Sequence, residues 1–296
     1  MNIGYIGLGD MGGALATRIA SRHALHVYDK SDDAVAALVS KGGTASESIA
    51  DLGKTCKVVL LCLPTSKHVH SVIFGDGGLV GCLSPGSLII DQTSGNPSET
   101  RAMADGLAAR GIDLVDAPVS GGAPAALAGT ISMMLGAPER AVARAREVLG
   151  LIGDNVTHIG PVGTGHTMKL VNNLLSCTQR LLTLEALALV AKKGIDPVLA
   201  VDVLCKGGGR NAFLEVQART VLSGAIDRDG GFSLALAHKD LKLACDVASE
   251  AEVPTFYGSL SRDLYGLAVS QLGGGKSVDT IADLMEAAAR VKLIGG

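Results

Sequence analysis

Two periodicities alternate along the first half of the chain, and one alone persists in the second. Short strand patterns fall at residues 2–6, 25–28, 58–63, 87–90 and 112–115, with further candidates at 130–135 and 155–158. The run at 58–63 is continuously apolar, as expected for a strand buried on both faces. Helical patterns intervene at 10–22, from residue 32 onward, and at 97–110. This βαβ rhythm predicts a mostly parallel sheet with helices on both faces. After Pro161 the strand signals stop. Residues 166–193 contain no Gly and no Pro, and Leu170, Leu174, Cys177, Leu181, Leu184 and Leu187 recur at helical spacing. Such a helix is about 42 Å long at ~1.5 Å per residue, long for one domain, and is expected to bridge two. Gly194 supplies its stop. Further helical stretches are expected at 196–206, 211–223, 234–250, 255–271 and 278–290. The chain therefore reads as an α/β domain over residues 1–161, then an all-α domain over 162–296, joined by a long interdomain helix.

Glycine changes the picture. There are 39 in 296 residues, about 13% against an average of ~7%. They show no three-residue period, which excludes collagen. With 47% hydrophobic residues and a net charge of −3, disorder is excluded too. Each glycine cluster then needs a local reason. The first is Gly7-Leu8-Gly9-Asp10-Met11-Gly12, which follows a strand and opens a helix. Asp29 lies 20 residues beyond Gly9, at the end of the second strand. This is the dinucleotide-binding arrangement of a Rossmann-type domain. Gly7 permits the tight turn, Gly9 lets backbone approach a pyrophosphate, and Gly12 lets helix and strand pack closely. The helix N-terminus offers N–H groups and partial positive charge to the phosphates. Asp29 would accept from a ribose 2′-hydroxyl and repel a 2′-phosphate, so NAD is expected over NADP. Lys30, next in line, softens that repulsion and keeps NADP open. The competing reading of Asp29 is the N-cap of the following helix.

The remaining global features mostly exclude. A near-neutral charge gives no basic field for nucleic acid. No uninterrupted apolar run approaches the ~18 residues of a membrane span. The start lacks the basic region of a secretion signal. The six cysteines show no paired spacing and read as reduced thiols, so the expected compartment is the cytoplasm. His68 and His70 form an HxH without a nearby third ligand, so no metal site is expected.

Four ordered motifs resemble those of the β-hydroxyacid dehydrogenase family, which includes 3-hydroxyisobutyrate dehydrogenase and tartronate semialdehyde reductase. They are the opening Gly7–Gly12 loop with its helix, Asp116-Ala117-Pro118-Val119-Ser120-Gly121-Gly122, Gly163-Thr164-Gly165-His166-Thr167-Met168-Lys169-Leu170-Val171-Asn172-Asn173, and Lys239-Asp240-Leu241. The resemblance implies an NAD-dependent oxidoreductase interconverting a small 3-hydroxy acid and its semialdehyde or 3-keto acid. It implies that Ser120, Gly121 and Gly122 hold the substrate carboxylate. Lys169 is then the general acid/base, since an amine within hydrogen-bond reach can take the hydroxyl proton and stabilise developing charge. Asn173 lies four residues on, on the same helical face, and either orients Lys169 or binds substrate. Asn172 points elsewhere.

The same resemblance places further residues around the site. Gly7, Gly9, Asp10, Met11, Gly12 and Asp29 would contact the cofactor, with Leu63-Pro64 at the end of a buried strand. Asp91-Gln92-Thr93-Ser94 precedes Pro97: Ser94 would contact the cofactor and Thr93 the substrate, or both hydroxyls cap the helix. Lys239 would reach the cofactor across the cleft, and Asp240 would orient Lys169 or a substrate hydroxyl, or the two form a structural salt bridge. Phe232 would line the substrate pocket. Gly207-Gly208-Gly209-Arg210 departs from the family pattern. Arg210 either clamps a second anionic group or is a surface charge or subunit contact. A homodimer or homotetramer through the helical domain is expected. The alternatives are an imine or ketone reductase and a non-catalytic NAD-binding protein on the same scaffold. Both expect Lys169 or the carboxylate loop to be missing.

Overall fold

Alternation along each strand decides which face of the sheet a side chain covers. The computed structural model describes residues 2–295; residues 1 and 296, the outer ends of the two expected domains, lie outside the described residues. Among these, nine strands form one sheet: β1 Ile3–Ile6, β2 Leu25–Tyr28, β3 Thr44–Ala45, β4 Val58–Leu61, β5 Leu88–Asp91, β6 Asp113–Asp116, β7 Val119–Ser120, β8 Ser132–Gly136 and β9 Val156–Gly160. Ile3, Tyr5, Val58, Leu60, Leu88, Ile90 and Val115 enter one apolar cluster. Their neighbours Ile6, Val59, Leu61, Ile89 and Leu114 enter another. Both faces are thus covered, as the unbroken apolar run of β4 predicts. Burying each such aliphatic side chain is worth about 1.5–3 kcal/mol.

The spatial order is β3-β2-β1-β4-β5-β6-β8-β7, with β9 on β8. Strands β1 to β6 pair in parallel. The direction breaks at β8, which pairs antiparallel with β6 and β7 and parallel with β9. The chain diverges on either side of β1, and ligands of open α/β sheets sit outside the strand carboxyl ends at such a point. Helices α1 Asp10–Ala20, α2 Asp32–Val39, α3 Ile49–Thr55, α4 Ser66–Phe74, α5 Pro97–Ala108, α6 Gly122–Ala128 and α7 Glu139–Leu149 lie between strands. The N-caps follow the sequence: Ser31 accepts from Ala34 N–H, and Asn96 accepts from Ser98 and Glu99 N–H ahead of Pro97.

The long helix α8 spans Thr164–Lys192 without a break. All-helical structure follows: α9 Pro197–Leu204, α10 Ala212–Val216, α11 Ala218–Leu222, α12 Leu234–Glu250, α13 Phe256–Leu272 and α14 Ile281–Ala289. The expected 211–223 stretch divides at Gln217 into two short helices. Leu181, Leu184, Leu187, Phe213, Leu234, Leu241, Tyr265 and Ile281 form a separate core there. The chain divides into two compact units between Lys169 and Leu170, so α8 contributes residues to both.

By length and composition α8 is apolar enough to cross a membrane, which amends the expectation drawn from uninterrupted runs. The core helix of a soluble protein meets the same test. Here Arg180 on α8 is buried, ion-paired with Asp279 and stacked on Phe213. The Gly273-Gly274-Gly275 triplet, for which the sequence offered no role, ends α13, and the segment through Lys276 supplies backbone acceptors to the start of α12. Leu234 and Ala235 N–H donate to the carbonyls of Lys276 and Gly274.

Candidate active site

The β1–α1 turn is built by contacts that only hydrogen fits. Gly7 has φ +95°, and a Cβ there would run into the Cys62 carbonyl. A Cβ at Gly12 would strike the Gly7 carbonyl. The space off Gly9 is open, with no atom from outside its immediate chain neighbours within 4 Å of where a Cβ would sit. The Asp29 carboxylate clasps this turn: Oδ2 accepts from Leu8 N–H at 2.6 Å, and Oδ1 from Ser31 N–H at 2.9 Å. Ser31, not Asp29, caps α2. Asp10 is exposed at the first helical position, and Met11 packs its side chain on the sheet core. A turn with open space at Gly9, a helix start with no side-chain cap and a carboxylate beside it suits a dinucleotide.

Ile6, Leu61, Asp91 and Asp116 stand in register at the carboxyl ends of β1, β4, β5 and β6. Leu63 N–H, after β4, donates to Thr93 Oγ1 at 3.1 Å, and Thr93 N–H donates to Asp91 Oδ1 at 3.0 Å. Thr93 is buried. Its hydroxyl therefore ties the loop after β4 to the loop after β5. Ser94 is half-buried and Pro64 exposed. Beneath this loop Tyr5 donates to Gln92 Oε1 at 2.7 Å. Burial pushes the Cys62 thiol up to about 12 and the Tyr5 phenol well above its ordinary value.

Past β6 the chain enters the predicted carboxylate loop. Ser120 is half-buried, and Gly121 and Gly122 are exposed with φ of +139° and +77°. Both φ values lie in the region that excludes ordinary side chains. Lys169 is half-buried in the second turn of α8. Two buried residues near this helix start carried no assignment from the sequence. Asp116 accepts from the N–H groups of Gly163 and His166, and His166 Nδ1 bonds Thr100 Oγ1 at 2.9 Å.

The helical half has its own polar chain. Asn173 Nδ2 donates to Asp240 Oδ2 at 2.6 Å, and Asn172 Nδ2 donates to Asn173 Oδ1 at 3.0 Å. Lys239 Nζ lies 3.1 Å from Asp240 Oδ1. Asn173 and Asp240 are buried. Asp240 therefore orients Asn173, and Asn172 joins the same chain although its helical position had argued otherwise. Phe232 is 37% exposed, and its carbonyl accepts from Val278 N–H. Arg210 turns to Glu215 at 3.5 Å, both exposed. His68 bonds Thr65 Oγ1 and His70 stacks on Phe74. None of the six cysteines is in a disulfide.

Residues 2–160 match the family model described as the NAD binding domain of 6-phosphogluconate dehydrogenase. Residues 163–285 match the model described as NAD-binding of NADP-dependent 3-hydroxyisobutyrate dehydrogenase. The chain belongs to the 3-hydroxyisobutyrate dehydrogenase (β-hydroxyacid dehydrogenase) family. It is accordingly an NAD(P)-dependent oxidoreductase of that family, with a Rossmann-type half, a long helix and a helical half. It is 36% identical over 274 residues to 3-hydroxyisobutyrate dehydrogenase of Pseudomonas aeruginosa, covering 90% of this chain and 91% of that one. It is 33% identical over 298 residues to 2-(hydroxymethyl)glutarate dehydrogenase of Eubacterium barkeri, covering 100% and 98%. A solved structure of Mycobacterium tuberculosis 3-hydroxyisobutyrate dehydrogenase with L-serine superposes with a TM-score of 0.85 at 26% identity, covering 96% and 98%. These family members act on different hydroxy acids, so membership fixes the reaction class and leaves the substrate to the site.

Proposed function

We propose that this chain is an NAD-dependent dehydrogenase that interconverts a small 3-hydroxy acid and its semialdehyde, of the 3-hydroxyisobutyrate or 2-hydroxy-3-oxopropionate type. The observation that carries the reading is α8, which sets Lys169 and Asn173 one turn apart on a continuous helix. The nicotinamide, when bound, accepts or returns the hydride. Lys169 Nζ takes the proton of the substrate hydroxyl as the C3 hydride leaves, and gives it back in the reductive direction. The ammonium so formed stabilises negative charge on the carbonyl oxygen. Ser120 and the backbone of Gly121 and Gly122 hold the carboxylate. Asn173 presents its remaining Nδ2–H to the substrate, its amide fixed by Asp240 and Asn172. The turn around Gly7, Gly9 and Gly12 receives the pyrophosphate, with Leu63, Pro64, Ser94 and Lys239 as further cofactor contacts and Phe232 as pocket wall. Asp29 favours NAD, because a 2′-phosphate would meet its carboxylate.

Arg210 leaves both a monocarboxylate and a second acid group open, since its guanidinium faces Glu215 in an exposed pair. A second acid group would have to displace that exposed pair, which costs little, about 0–1 kcal/mol. A panel of 3-hydroxyisobutyrate, L-serine, 2-(hydroxymethyl)glutarate and hydroxysulfonates, each with NAD and NADP, decides between them. The catalytic assignment is tested by Lys169→Ala. Cofactor binding should persist while turnover falls by about 10²–10⁴. Near-normal turnover would sink it. Self-association through the helical half completes the proposal. Leu175, Leu182 and Leu189 are exposed at seven-residue spacing along α8.

A further inference from the structure

Helix α8 begins without a cap of its own. The Gly163 carbonyl accepts from Thr167 N–H, so Gly163 stands at the N-cap position and His166 at the third helical residue. In a capping box a Ser or Thr at the N-cap accepts from the third N–H, and a Glu or Gln at the third position accepts from the N-cap N–H. Gly163 has no side chain. The His166 ring is turned away to Thr100, whose own hydroxyl proton goes to the Asn96 carbonyl at 2.9 Å. Asp116, 47 residues upstream of Gly163, performs both halves of the box. Its Oδ1 accepts from Gly163 N–H at 2.6 Å, and its Oδ2 from His166 N–H at 2.7 Å. The carboxylate is fully buried, and its charge opposes the positive end of the helix.

The packing leaves this joint no play. A Cβ at Gly165 would run into the Met134 carbonyl and come within 2.9 Å of Asp116 Oδ2. A Cβ at Gly136 would come within 2.8 Å of Gly165 N–H. The start of the helix therefore rests directly on the ends of β6 and β8. The His166 ring lies alongside, its Nε2 3.9 Å from Asp91 Oδ2 at the end of β5, beyond hydrogen-bond distance. Lys169 follows His166 by three residues, less than one turn. Ser120 follows Asp116 by four.

We propose that Asp116 is a positioning residue for the reaction: its carboxylate sets the height and rotation of the first turn of α8, and so registers Lys169 against the Ser120-Gly121-Gly122 loop on its own segment. This rests on the reading of Lys169 as the acid/base. A displacement of about 1 Å at the chemistry costs on the order of 100-fold in rate.

The test is Asp116→Asn, which keeps the shape but turns an amide N–H toward one of the two donors. Turnover is measured per cofactor-binding site with NAD and the panel acid turned over fastest, alongside amide exchange at Gly163 and His166. We expect kcat to fall by about 10–100-fold, NAD affinity to stay within about threefold, and the two amides to exchange faster. A purely structural role would lower the melting temperature and leave kcat per binding site unchanged, so a variant within twofold of the natural kcat overturns the proposal. Should Asp116→Asn fail to melt cooperatively, Asp116→Glu, which keeps the charge and lengthens the arm by one methylene, is read by the same two outcomes. Lys169→Ala separates the two ideas. If it retains turnover, the acid/base reading fails and the positioning role fails with it. If it collapses while the Asp116 variants remain active, only the positioning role fails.

Discussion

The sheet half and the helical half cover their aliphatic side chains to different degrees. In the sheet half, successive strand residues go to opposite faces, and each face has its own core. In the helical half, one core gathers the inward residues and the outward ones stay bare. Of twenty large hydrophobic residues exposed among the described ones, four lie up to Lys169 and sixteen beyond it, although the second unit is the shorter. Leu182 is 65% exposed, Tyr257 77% and Phe256 80%. Singly exposed apolar residues need no explanation, but stripes along helices do. Under the self-association proposed above, a second copy would cover the exposed apolar surface of the helical half. The buried acids differ in the same way. Asp116 serves backbone N–H groups, which any sequence presents, and Asp240 serves two particular side chains.

The largest expected effect follows from that contrast. Leu175→Glu combined with Leu182→Glu puts two charges on the α8 stripe, and burying an unpaired charge costs several kcal/mol. Light scattering at micromolar concentration should show an oligomer for the natural chain and a monomer for the double variant, with NAD binding retained. A natural chain that is monomeric would break the comparison. Asp240→Ala is expected next in size. It leaves Asn173 and Lys239 without their shared acceptor, and hydrogen bonds to charged groups are worth about 1.5–3 kcal/mol. Because Lys239 retains some solvent access, a loss near 2 kcal/mol is expected in denaturant unfolding. A change under about 0.5 kcal/mol would show that the helical network is not a stabilising one.

Some of this was legible from the residues alone, and the reasons are local. The Gly7–Gly12 turn and Asp29 could be read because the turn needs glycine at fixed offsets and the acid at the end of the next strand. Strand β4 could be read because burial on both faces requires an unbroken apolar run. Strands β3 and β7 could not: each has two residues, too few to show a period. The loop tie made by Thr93 could not be read, because its partner is a backbone N–H 30 residues away. Asp116 was hidden for the same reason, since backbone donors leave no trace in sequence. One signal did exist. A long helix opening on Gly163, with no Ser, Thr, Asp or Asn at its N-cap, has orphan donors that an acceptor from elsewhere must satisfy.

The smallest expected effect is in the pH dependence of Asp116. Burial pushes its carboxyl up from the ordinary value, against the pull of His166 and of the N–H groups of Gly163 and His166. A raised folded value means that the folded chain binds this proton more tightly than the unfolded one. The contribution to stability is then complete below the unfolded carboxyl pKa, near 3.9, and is lost as pH rises through the folded value. Asp116→Asn cannot titrate and supplies the reference. The stability of the natural chain minus that of the variant should therefore shrink as pH rises from the unfolded value, near 3.9, through the folded one, by at most about 1.4 kcal/mol for each unit that the pKa is raised. A difference that instead grows with pH would mean that the two N–H bonds outweigh burial. The carboxylate would then be a net stabiliser of the helix end, as well as the group that fixes its position.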